Sequence, residues 1–151
     1  MLKRTSKQLS MFSSLEDMLS HQHPLFQLSN KINWESFENA FSPWYCNTNG
    51  RPTHPIRLMC GLLILKHLRN VSDEMVVSQW SENAYYQYFC GGLEFMPKQP
   101  CDASELVHFR NRIGEEGMEL ILAESIRVNT DHDDEDHFDT AFIDSTVQEK
   151  N

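Results

Sequence analysis

The stretch from Pro55 to Arg69 restricts the fold more than any other. Nine of the fourteen residues after Pro55 are apolar: Ile56, Leu58, Met59, Cys60, Leu62, Leu63, Ile64, Leu65 and Leu68. Pro55 suits the first position of a helix, where its missing N–H costs nothing. Apolar side chains cover most of this helix's circumference, so it needs neighbours on every side. The spacing therefore predicts the central helix of a bundle, about 21 Å long at about 1.5 Å per residue. Lys66, His67 and Arg69 crowd its last turn. Cations there offset the helix dipole, and they could equally contact phosphate; both readings stand.

The flanking segments read as shorter helices. Residues 1–10 are polar and are expected to fray. Residues 14–19 form a short helix with Ser13 or Ser14 as cap, and His21 to Pro24 ends it. An HxH pair can bind metal, but no third ligand lies near His21 and His23. Asn33 caps a second helix carrying Trp34, Phe37 and Phe41 on one face. That stripe has the spacing of a core face, which outweighs base stacking as its role. Ser42-Pro43 stops it, and residues 46–55 form a loop rich in Asn, Thr, Gly and Pro.

After the central helix, Asn70-Val71 makes a tight connection. Ser72 then caps a helix with Asp73 and Glu74 in its first turn. The two helices resemble a helix-turn-helix corner. The second offers Gln79 and Asn83 but no Lys or Arg, which makes it a poor recognition helix. Tyr85 to Phe89 reads as a short aromatic helix. Asp102-Ala103-Ser104-Glu105 resembles a capping box. The helix after it turns Leu106, Phe109 and Ile113 inward, and Arg110 with Arg112 is the best basic pair in this half. Gly114 breaks it. A last helix, residues 115–128, places Met118, Ile121, Leu122 and Ile126 on one face.

Charge is divided unevenly along the 151 residues. Residues 1–70 hold eight Lys or Arg against four Asp or Glu, or +4, whereas residues 71–151 total −13, for a net charge of −9. Contact with a polyanion is therefore expected in the first half or on single basic faces. No run of about 18 apolar residues predicts a membrane span, and no apolar segment follows the basic N-terminus as in a secretion signal. The four cysteines form no CxxC pair, and buried free thiols of a cytoplasmic protein are expected.

The chain closes on an acidic run and a short apolar one. Six acids lie between Asp131 and Asp139; like charges so close resist packing, so residues 131–138 read as a solvated linker. Phe142-Ile143 with Thr146 and Val147 reads as a strand, with Asp144 inside it. A carboxylate there either faces water or needs a cation or a metal.

Many short blocks, taken in order, resemble bacterial insertion-sequence transposases of the DDE class. They include Leu15-Glu16-Asp17-Met18-Leu19, His23-Pro24-Leu25, Ile32-Asn33-Trp34 and Gly50-Arg51-Pro52. Further blocks are Arg57-Leu58-Met59, Gly61-Leu62-Leu63-Ile64-Leu65-Lys66, Tyr88-Phe89-Cys90-Gly91 and Phe109-Arg110-Asn111-Arg112-Ile113-Gly114. The last is Asp144-Ser145-Thr146-Val147-Gln148-Glu149-Lys150-Asn151.

The resemblance implies a mainly α front part: a helical DNA-binding and assembly domain (1–130), the acidic linker (131–138) and the first strand of a ribonuclease-H-like catalytic domain (139–151). It implies that Asp144 is the first of three catalytic, metal-binding carboxylates. The family's three carboxylates hold two Mg²⁺ ions. The second Asp and the Glu are not expected in this chain, so neither autonomous catalysis nor stable Mg²⁺ binding is expected, and Asp144 stands as a relic or part of a site. Arg57, Lys66, Arg69, Arg110 and Arg112 are the candidate DNA contacts. The expected partners are the terminal inverted repeats of the element and a second copy or a full-length transposase. A helical protein-interaction module without a DNA role, or an inert remnant, are the competing expectations.

Overall fold

The computed structural model describes residues 14–45 and 54–132. Seven α-helices follow in order: α1 (Leu15–Met18), α2 (Pro24–Lys31), α3 (Trp34–Phe41), α4 (Ile56–Arg69), α5 (Asp73–Trp80), α6 (Ala84–Phe89) and α7 (Ala103–His132). A 3-10 turn, Ser42–Tyr45, follows α3. Among the described residues there is no strand. The expected strand with Asp144 lies outside them. So does most of the expected linker, although α7 runs through Asp131 and His132, two residues into it.

The central helix is enclosed as its composition requires. Every residue of α4 from Ile56 to Leu65 is buried except Arg57. Fully burying one Leu or Ile contributes about 1.5–3 kcal/mol. The helices α3, α5 and α7 pack on α4, while α2 packs on α6. Gly61 sits where a Cβ would come within 2.6 Å of the Cys90 sulfur, so the missing side chain lets the end of α6 approach α4. Phe37 and Phe41 are buried in the same core, stacked at 6.1 Å. The stripe on α3 is thus core and not a base-stacking surface.

Local capping chemistry sets the helix starts. Ser14, Asn33, Ser72 and Asn83 each accept a hydrogen bond from a first-turn N–H, as N-cap residues do. Asp102 donates its N–H to Glu105 Oε2 at 2.8 Å, the return arm of a capping box. Pro55 stands one residue before α4, at the cap and not inside the first turn. Helix α2 was not expected. Its cap is His23, whose Nδ1 accepts the Leu25 N–H at 3.1 Å, with Pro24 at the first position. Leu25, Leu28 and Ile32 carry the helical spacing that could have revealed it.

Two features shape the remainder. Gly114 adopts φ 68°, ψ −171° inside α7, a region open essentially to glycine alone. The helix is therefore interrupted where the sequence placed a break. Gln87, 0% exposed, ties the 91–101 loop to the bundle. Its Nε2 donates to the Trp80 and Met96 carbonyls at 3.0 and 2.8 Å, and its Oε1 accepts the Met96 N–H at 2.7 Å. No helix among the described residues is long and apolar enough to cross a membrane.

Gln87→Ala strands three backbone groups next to a new cavity. The expected loss is about 3 kcal/mol, read as a lower urea midpoint, with faster proteolysis within residues 91–101.

Candidate nucleic-acid interface

The corner between α4 and α5 brings two of the five basic candidates, Lys66 and Arg110, together. Asn70 closes α4 in the left-handed region at φ 54°, and the Val71 N–H donates to the Lys66 carbonyl at 3.2 Å. This is a Schellman-type close, with Asn as a tolerated substitute for Gly. Ser72 then starts α5 by accepting the Met75 N–H at 3.1 Å.

Asp73 follows at once and becomes the centre of the charge arrangement. Its two carboxylate oxygens accept from Arg110 at 2.9 and 2.8 Å, and Lys66 Nζ stands 3.9 Å away. Bidentate pairing with a guanidinium is the strong form of such a contact. The Arg110 hydrogen bonds hold the Asp73 carboxyl below its usual range, against a smaller opposing effect of burial. Lys66 and Arg110 therefore meet, but around an acid of their own chain. The sequence suggested only a helix-dipole role for Asp73, since nothing local indicates that Arg110, thirty-seven residues on, reaches it.

Arg69 is exposed and lies over the Tyr86 ring, 5.8 Å from its centroid. Its Nε donates to the Tyr86 hydroxyl at 3.2 Å, and that hydroxyl donates to Gln79 Oε1 at 3.4 Å. Next to it, His23 stacks on Tyr85 at 3.8 Å. Burial, then the charge of Arg69, lowers the His23 pKa. The positive field of Arg69 is thus felt across an aromatic shelf built from α2 and α6. Arg112 is exposed on α7.

Arg57 is placed differently. Its guanidinium lies 4.5 Å from the Trp34 ring centroid. Nη2 donates to Ser29 Oγ at 2.9 Å, and Nε donates to the Phe89 carbonyl at 3.4 Å. Burial lowers its pKa. This cation joins α2, α3 and α6 inside the bundle. The thiols of Cys60, Cys90 and Cys101 are free and buried. Burial pushes all three up, Cys101 to about 12. Among the described residues no group of three His, Cys, Asp or Glu could hold a metal ion. Asp144 lies outside the described residues.

An all-helical module with a helix-turn-helix-like corner is the class this arrangement defines. Residues 13–112 match the family described as Transposase domain (DUF772), and the chain belongs to that transposase family. It is similar to the uncharacterized protein ORF8 in the nfe locus of Rhizobium meliloti, 38% identical over 138 residues. That alignment covers 90% of this chain and 66% of the relative, so the chain spans about two thirds of the relative's length. No solved structure matches.

Two pH effects follow. His23 caps α2 only as the neutral ring, and its folded pKa lies below the unfolded value of about 6.5. Its contribution is whole above about 6.5 and is lost as pH falls toward the folded value. His23→Asn keeps a cap and should remove that part of the acid-side loss, read as the difference between the two urea midpoints from pH 7 to 5. Asp73 is also depressed, so its contribution is present above about 3.9 and disappears as pH falls through its folded value. Asp73→Asn should cost about 1–3 kcal/mol at neutral pH and flatten the corresponding step below about pH 4.

Proposed function

We propose that this chain is the helical front module of an insertion-sequence transposase of the DDE class and binds DNA at the ends of its element. The match of residues 13–112 to a transposase domain carries the reading. The motif run through Asp144 extends it. In this reading Arg69 and Lys66, at the end of α4, meet phosphates, with Arg112 as a further contact. Arg57 serves the bundle, and Arg110 orients the corner through Asp73. The exposed Glu74 of α5 and the absence of Lys or Arg along that helix favour backbone contact over base reading by it.

Asp144 would supply one carboxylate to a Mg²⁺ site. The acids that would complete the site have no counterpart grouped among the described residues. In this reading the described helices carry the binding role.

A second reading, a protein-interaction module, is favoured by one observation. A groove of about 770 Å³ runs between α7, α2 and α4, lined largely by apolar side chains.

The test is a fluorescence-anisotropy salt titration on duplexes taken from the DNA flanking the gene, with scrambled duplexes as controls. Affinity should fall steeply with salt, and Lys66→Ala and Arg69→Ala should each lower the slope of log K against log salt by about 0.9. Absence of binding at low salt would remove the DNA reading.

A further inference from the structure

Gln79 is the polar side chain in the last turn of α5, and a chain of hydrogen bonds ties it to Arg69. Arg69 Nε donates to the Tyr86 hydroxyl at 3.2 Å, and that hydroxyl donates to Gln79 Oε1 at 3.4 Å. The end of α4, the last turn of α5 and the first turn of α6 meet at this one oxygen. Chemistry fixes the direction of the chain. A guanidinium has donors only, so the hydroxyl must accept from it. The single hydroxyl proton then needs an acceptor, so Gln79 turns its carbonyl oxygen, and not its amide nitrogen, toward Tyr86. Tyr86 is buried at 5% exposure, which holds its oxygen in place, whereas Gln79 is half-buried and Arg69 is exposed.

Given the DNA reading above, on which this step rests, we propose that Gln79 is a further phosphate contact and that Tyr86 is the positioning residue that aligns it with Arg69. With Oε1 engaged, Gln79 offers a ligand only the N–H groups of Nε2. Arg69 offers only those of its Nη atoms. Among the described residues none of these donors has a protein partner. Two donor-only heads joined through one oxygen suit a ligand that only accepts, and a phosphate is such a ligand. They do not suit the adenine reading for which glutamine is otherwise equipped. That reading needs Oε1 for the adenine N6 amino group while Nε2 donates to N7, and here Oε1 is taken. Lacking Lys and Arg, α5 still contributes to the interface, as a neutral donor beside the cation of α4.

Anisotropy titrations of the full chain on flanking and scrambled duplexes separate the outcomes. Gln79→Ala removes one hydrogen bond to a charged oxygen and should weaken binding about tenfold. The loss should be equal on both kinds of duplex. The slope of log K against log salt should stay at the wild-type value, since no charge is removed. Tyr86→Phe keeps the ring under Arg69 and deletes the shared oxygen. It should weaken binding at least as much, again at unchanged slope. Combining the two should cost no more than Tyr86→Phe alone, because an unaligned amide contributes nothing further. A purely structural Tyr86 would lower the urea midpoint and leave the two losses additive, about 100-fold together. Gln79→Ala places a strong helix former on α5 and should fold whatever Tyr86→Phe does. Wild-type affinity in Gln79→Ala, with Arg69→Ala weakened, overturns the inference and leaves the DNA reading standing. Additive losses, or a Gln79 effect confined to one kind of duplex, also overturn it. A wild-type chain that binds no duplex at low salt removes the DNA reading and this contact with it.

Discussion

The enclosure of α4 is the constraint on which the other elements depend. A helix apolar around nearly its whole circumference cannot rest on one partner, and here α3, α5 and α7 surround it. The polar exception is Arg57, whose guanidinium lies over Trp34 and donates to Ser29 and Phe89. Ser29 in turn accepts the Trp34 indole N–H at its carbonyl, 2.8 Å away. A half-buried cation joins three helices at the start of α4, where a purely apolar side chain would leave the Ser29 hydroxyl unanswered.

The same economy governs the other cations. Arg110 is held by Asp73, and Arg127 donates to Glu124 and to the Lys31 carbonyl that ends α2. Glu124 also accepts the Asn33 N–H at 2.7 Å, so α7 clasps the turn between α2 and α3. Much of the basic charge therefore stabilises corners. What faces outward at the α4 end is Arg69, supported by Tyr86. An acidic chain can still present such a local positive site, because the field near a surface follows nearby charges more than the net total.

Most of the helix boundaries were legible because capping is local chemistry. Asn33 and Ser72 each satisfy an N–H three residues on, and a reader of the chain needs no distant information to place them; Asn83, expected on the helix that Ser72 starts, lies beyond its end at Trp80 and caps α6 instead. Helix α2 escaped notice because its cap is a histidine, a residue that signals metal or catalysis more readily than a helix start. The face of the last helix was misjudged for another reason. Met118, Ile121, Leu122 and Ile126 share a helical spacing, but periodicity cannot say which part of a wide apolar face meets a neighbour.

The sequence by itself determined that α4 is central, that short capped helices surround it, and that the chain breaks at Gly114. These follow from side-chain character and backbone freedom over a few residues. The tertiary structure alone decided where these charges went: Arg57 half-buried against Trp34, Arg110 paired with Asp73, Arg69 outward. It alone decided that Ile121 is buried while Leu122 borders an open groove. Those outcomes depend on which distant elements arrive at a surface, and pairing across such separations leaves no trace in local spacing.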